Sequence, residues 1–327
     1  MMKVRGMRAM VLAFLAGLGG CAAVGPREAG LRVGQAGSLE TEVITDLKMR
    51  FPNADYQQTK ARWDWQVEEG AQEGQYRVRM RLGALQASMV SLTVRLRYDS
   101  EAEQKPTENK RLLSYREVFS GYKGQEYVAV VDGSGAVLAL EEEGEALAAA
   151  MRGEVGNAML GGYQAGSFFS ASRLREYAYW AVWQWPEGVG REVGASWGRM
   201  KVVEPPRTGA LMAEVGYAVT AVPEAGPVEA TISAKLVEGA EVPEWARRRQ
   251  LGAEAWTVLG LPKGTGKLSY GGEGMVEMHE EMLVEVEMSG APSRRNEQGE
   301  RVNRMFYVIK ETFSPAVPGG SGGGEER

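Results

Sequence analysis

The chain of 327 residues contains one cysteine, Cys21, and one histidine, His279. A single cysteine excludes an internal disulfide, so stability must come from packing. A single histidine excludes multi-histidine zinc sites and leaves little room for a histidine triad. Long apolar runs are also missing. The run from Met10 to Leu18 falls far short of the roughly 20 residues that span a bilayer as a helix. There is no excess of positive charge: the formal net charge is −5, which argues against a nucleic-acid or polyanion partner. No phosphate loop is present either. Gly264-Thr265-Gly266-Lys267 lacks the six-residue frame ending in Gly-Lys-Ser/Thr and reads as a hairpin turn. His279-Glu280-Glu281, with Glu277 nearby, lacks the i,i+4 histidine pair of a metallopeptidase helix and reads as a hairpin tip without a metal. No Ser-His-Asp or paired-carboxylate spacing stands out, although glycosidase-type carboxylates meet only in the fold. These absences predict a non-enzymatic protein with no cofactor and no metal.

What is present begins at the N-terminus. Lys3, Arg5 and Arg8 precede the apolar run, and Leu18-Gly19-Gly20-Cys21 closes it. A basic start followed by a 7–15-residue apolar segment is the layout of a secretory signal. The Leu-small-small-Cys ending resembles the lipobox of bacterial lipoproteins. That resemblance implies removal of residues 1–20 and acylation of Cys21, palmitate included. Loss of the three leader cations takes the net charge from −5 to −8. Ala22 replaces the aspartate associated with inner-membrane retention, so the resemblance implies an outer-membrane lipoprotein facing the periplasm, with the inner membrane or the cell surface as the alternatives. Residues 21–38 read as a flexible tether and 315–327 as a disordered Gly-rich tail.

Between them, residues 39–314 read as one β-rich domain. In Tyr76–Leu82, Tyr76, Val78, Met80 and Leu82 alternate with Arg77, Arg79 and Arg81. Val90 to Tyr98 alternates in the same way, with Arg95 and Arg97 on the polar side. The two arginine rows are expected side by side, offset by acids such as Glu285 and Glu287. Leu113–Phe119 and Glu126–Val131 are predicted strands, and Asp132-Gly133-Ser134-Gly135 is a hairpin turn leading into Ala136–Leu140. Thr41–Met49 reads as a short helix. Helices are predicted at 141–152 and 172–184, the second capped by Ser172, with a Gly-rich break between them. Further strands are predicted at 200–203, 210–222, 228–237, 254–259, 266–278, 282–288 and 302–313. The fold class expected is α+β, mainly antiparallel β. It is a large curved sheet or half-barrel with two central helices packed on it, the alternative being two smaller β-rich subdomains.

Four places carry a further likeness: Tyr98-Asp99-Ser100 closing a strand, the hairpin Val128–Leu140, the step from Trp185-Pro186-Glu187 to Val193-Gly194-Ala195-Ser196-Trp197, and Tyr270-Gly271-Gly272-Glu273-Gly274. In this order they resemble a family of bacterial lipoproteins whose domain has no assigned function, with Ala195 replacing that family's usual aspartate. The resemblance implies a strand-rich, tethered envelope domain. At the level of architecture, the pattern is similar to half-barrel lipoprotein carriers, in which helices cap the hollow of the sheet.

The densest aromatic cluster is Tyr177, Tyr179, Trp180, Trp183, Trp185 and Trp197. Tyr177, Trp180, Trp183, Trp185 and Trp197 form the candidate ligand surface, because aromatics on pocket walls give large contact area with a polar handle. Packing in the core is the competing reading, and one helical face cannot bury all of these rings. The expectation is therefore a membrane-tethered binding module for a hydrophobic or envelope ligand, with a lipid or an envelope protein as partner. A structural lipoprotein that assembles with another envelope protein is the alternative, and a hydrolase of envelope polymers comes third.

Overall fold

The computed structural model describes residues 30–48, 55–91, 93–142, 144–151, 161–205, 209–237, 239–246, 256–258, 263–271, 274–288 and 304–316. Cys21, the leader, the first part of the tether and most of the tail lie outside them. In chain order the elements are β1 (Ala36–Lys48), β2 (Asp55–Glu69), β3 (Gln75–Ser91), β4 (Val94–Asp99), α1 (Lys110–Ser120), β5 (Glu126–Asp132), β6 (Val137–Glu142), α2 (Glu145–Met151), α3 (Gly162–Phe168), α4 (Ala171–Ala181), β7 (Ser196–Val203), β8 (Leu211–Ala221), β9 (Val228–Leu236), β10 (Trp256–Val258), β11 (Lys263–Gly271), β12 (Gly274–Met288) and β13 (Arg304–Pro315).

All the described strands join one antiparallel sheet, in the order β6-β5-β3-β2-β1-β13-β12-β11-β9-β8-β7, with β4 beside β3 and β10 beside β12. This is the large α+β sheet that the strand periodicity predicts, and it does not divide into two subdomains. Alternation sets its two faces. Leu39, Thr41, Val43, Thr45 and Leu47 of β1 point inward, as do Thr59, Ala61, Trp63 and Val67 of β2. Val215, Tyr217 and Val219 of β8 and Met278, Met282, Val284 and Val286 of β12 line the same interior.

The sheet is strongly curved, and one contact proves it. Lys201 on β7 bonds Glu311 on β13, five strand steps away. In a flat sheet those backbones would stand about 24 Å apart. A lysine and a glutamate together reach only about 10 Å, given bonds of about 1.5 Å. The β7 edge must therefore fold back over the middle of the sheet. Two glycines of β11 permit close approach along the way: a Cβ on Gly266 would lie 2.2 Å from the His279 carbonyl oxygen, and one on Gly264 would lie 2.6 Å from the Ala234 methyl. Only glycine lets backbones approach this closely. The opposite edge is closed by a side chain. Arg175 donates to the carbonyls of Val137 (3.0 Å) and Leu138 (3.4 Å) on β6, and stacks 4.2 Å above the Trp245 ring.

Several elements differ from the sequence reading. Thr41–Met49 is not a helix; residues to Lys48 belong to β1, where inward-facing threonines hide the period-two pattern. Leu113–Phe119 is not a strand but part of α1. Asn109 caps it by accepting from the amides of Arg111 and Leu112, and Tyr115 and Phe119 bury one face at i,i+4. The alternating run from Val90 to Tyr98 turns between Ser91 and Val94, dividing it into β3 and β4. The Gly-rich break contains α3, and Ser170 rather than Ser172 caps α4. Gly264–Lys267 lies inside β11 and His279 inside β12, whose pairing starts only at Gly271 and Gly274. The arginine rows share the outer face but sit at opposite ends of β3, since Arg97 pairs with Ser88 and Arg95 with Val90. Their acids are local: Glu141 bonds Arg77, Glu68 bonds Arg79, and Glu126 faces Arg81. Glu285 and Glu287 lie on β12, four strands from β3. Strand pairing also begins at Ala36 and includes Pro315, so the sheet takes in the last residues assigned to the tether and the first assigned to the tail.

Candidate functional site

The site is organised by α4. The Ser170 hydroxyl accepts from the Arg173 amide at its N-terminus, and Leu174, Tyr177 and Ala178 form its apolar stripe. On one side the helix is fastened by packing and backbone bonds. The Tyr127 hydroxyl donates to the Leu174 carbonyl (2.8 Å), Tyr177 donates to Phe168 (3.0 Å), and Trp63 packs 5.7 Å from the Tyr177 ring.

On its other side α4 meets β7 and β13 through charged side chains, almost all fully buried, and Lys201 of β7 extends the cluster to β12. Glu176 takes a forked pair of bonds from Arg199 at 2.7 and 2.5 Å. Arg173 bonds Glu311, and Ser172 bonds Glu204. Lys201 joins Glu280 (2.9 Å) and Glu311 (2.6 Å). Arg199 also donates to the Tyr217 hydroxyl and lies 4.3 Å above the Tyr179 ring. Burial works hardest against the charge on Glu311, yet Lys201 and Arg173 hold its carboxyl down at about 2. Burial likewise opposes Glu176, and Arg199 followed by Lys201 keeps its carboxyl below the usual range. Lys201 is itself raised, because Glu280 and Glu311 outweigh its own desolvation. Such a cluster adds little net stability over apolar packing, but one partner cannot be removed cheaply. Its chemical effect is to fix α4 in one register against the curved wall.

Of these charged residues the sequence reading quoted only Glu280, and as part of a hairpin tip; the pairing was hidden because the partners lie as far as 138 residues apart. A signal existed: Glu280 sits in the inward row of Met278 and Met282, and Glu311 in that of Ile309 and Phe313. An acid on the buried side of a strand asks for an internal cation.

The aromatic residues follow α4 out of the core to one end of the sheet. Tyr177, Trp180 and Trp183 are buried against Trp63, Phe313 and Tyr270, so they serve as core rather than as an open ligand surface. Beyond them Trp185 and Trp197 close at 5.0 Å, and Trp197 stacks on Tyr217 at 5.0 Å. Tyr270, which the sequence reading quoted only within a turn motif, lies 5.4 Å from both Trp183 and Trp185. A loop over residues 184–195 straps this group. Trp185 donates to the Val189 carbonyl (2.9 Å), Gly194 donates to Val219 (2.9 Å), and the Arg191 guanidinium sits 5.1 Å above Tyr270. The Trp197 indole nitrogen is buried and has no hydrogen-bond partner.

Other candidates are placed elsewhere. His279 faces outward on β12 and bonds the Thr312 hydroxyl at 3.0 Å. Among the described residues, no group of three or more His, Cys, Asp or Glu is placed to hold a metal ion, and no helix is long and apolar enough to cross a membrane.

No family model and no curated protein matches the chain. Solved structures with similar shape include lipovitellin, described for its lipid–protein interactions (6% identity, TM-score 0.41, 89% of this chain and 26% of that one). The chain thus spans about a quarter of the lipovitellin chain. Two others are DynF of the dynemicin pathway of Micromonospora chersina (6% identity, TM-score 0.17, 90% and 88%) and OccK5 of Pseudomonas aeruginosa (9%, 0.17, 86% and 98%). At these scores none of the three bears on what the chain does.

Proposed function

We propose that this protein is a lipoprotein anchored through Cys21 to the periplasmic face of the outer membrane, and that it acts as a non-enzymatic binding module for a hydrophobic envelope ligand. The ligand seats beneath the 184–195 loop, against Trp185, Trp197 and Tyr270, which pack on the core tryptophans Trp180 and Trp183. The observation that supports this reading most is the continuity of the aromatic packing from the core to the rim, ending in a buried indole donor with no partner. A donor left unpaired in an apolar setting costs about 1–3 kcal/mol, which a ligand acceptor would recover. The ion-paired α4 gives that site a rigid floor.

The test is mass spectrometry of lipid extracted from the full chain carrying Cys21→Ser, exported and purified without detergent. A lipid or other apolar molecule near one per protein is expected. It should fall sharply in Trp197→Ala, and partly in Trp197→Phe, which keeps a ring and loses the donor. Thermal melting of each variant separates lost binding from lost folding. A folded protein free of apolar ligand would overturn the reading in favour of an assembly lipoprotein that binds another envelope protein.

A further inference from the structure

The sheet has two ends, and exposed valines gather in the turns at one of them. Val33 lies before β1, Val193 in the loop before β7, Val222 after β8, and Val276 beside the β11–β12 tip. Strand pairing puts all four at the same end. Gly34 bonds Val67 near the close of β2, Gly194 bonds Val219 near the close of β8, and the start of β12 pairs with the close of β13. Their exposures are 60%, 64%, 46% and 47%. Trp197, near the start of β7, and Tyr270, near the close of β11, pack with Trp185 at this same end. Valine tips backed by tryptophan and tyrosine suit the boundary between hydrocarbon and headgroups.

The chain enters the sheet at this same end. Leu31 is buried there, and it stands only ten residue steps from Cys21. Ten residues extend to at most about 35 Å. An acylated Cys21 therefore holds this end, and not the opposite one, within reach of the bilayer. Charge selects the surface further. Glu73, Glu187, Glu192, Glu224 and Glu277 are exposed at this end against Arg32 and Arg191. An acidic rim is repelled by anionic headgroups and tolerated by zwitterionic ones.

We infer that this end of the sheet docks on a zwitterionic lipid surface, so that the mouth of the proposed ligand site opens onto the bilayer. The inference rests on the Cys21 anchor and adds an orientation to it. A single cysteine carrying an environment-sensitive fluorophore is introduced by Val193→Cys or Val276→Cys at this end, or by Val90→Cys at the other. Each lipidated full chain is reconstituted into phosphatidylcholine vesicles, alone or with a third phosphatidylglycerol. Blue-shifted emission, quenched at least twofold by headgroup-labelled lipid, is expected at positions 193 and 276 and not at 90. Phosphatidylglycerol should abolish the shift while the protein stays on the vesicle. Equal emission at both ends, or a stronger shift with phosphatidylglycerol, would overturn the docking and leave the anchor standing. A chain that does not bind vesicles, and in which Cys21 still titrates as a free thiol, would overturn the anchor and the docking together.

Discussion

Replacing Lys201 by methionine removes one cation and keeps most of its volume. Lys201 bridges Glu280 and Glu311, at 2.9 and 2.6 Å, and all three are buried. After the change Glu311 keeps its bond to Arg173, while Glu280 loses the cation that it bonds. Breaking a buried pair by deleting one member costs about 3–5 kcal/mol. For a domain of this size each kcal/mol lowers Tm by about 2–4 °C, so a fall of about 10 °C is expected. The pH dependence has a definite sign. The wild-type Glu311 carboxyl is held at about 2, so its contribution is complete above its unfolded value near 4.3 and is lost as the pH falls toward 2. Without Lys201 that carboxyl takes up a proton at higher pH. The deficit of the variant should therefore be largest at pH 8 and narrow by pH 5, where the wild type is still intact. Lys201→Met combined with Glu280→Met removes both charges and should recover more than half the loss, since apolar replacement of a buried pair is nearly neutral. Calorimetry between pH 5 and 8 reads all three proteins. A deficit under about 1 kcal/mol, or a double variant no better than the single one, would refute the view that this cluster is a mutually dependent set of buried charges.

Two further outcomes follow from the same geometry. Arg199→Lys keeps the charge but loses the forked bond to Glu176 and the stacking on Tyr179, and should cost about 2 kcal/mol in urea unfolding, whereas a change within 0.5 kcal/mol would show the fork to be dispensable. Gly266→Val brings a side chain against the His279 carbonyl and should cost at least about 3 kcal/mol or prevent soluble expression, while an unchanged Tm would mean the strands need no such close approach.

The sheet was legible in the sequence wherever one face met water. Tyr76–Leu82 and the Asp132–Gly135 hairpin show this, because alternation and turn chemistry are local signals. The signal failed where the inward face was itself polar. Thr41 and Thr45 made β1 read as a helix, and α1 lost its 3.6-residue period because only Tyr115 and Phe119 are buried along it. The aromatic residues were found from composition, but their division into core and rim depends on the loop over 184–195. The charged cluster was hidden because its register is set by curvature, which brings β7 over β13 and which no local pattern records.

The proposed role is tested most directly by the apolar content of the exported Cys21→Ser chain, measured by extraction and mass spectrometry against protein concentration. About one hydrophobic molecule per chain, lost in Trp197→Ala at unchanged Tm, is the predicted result. A folded chain with none, or a content indifferent to Trp197, would contradict it.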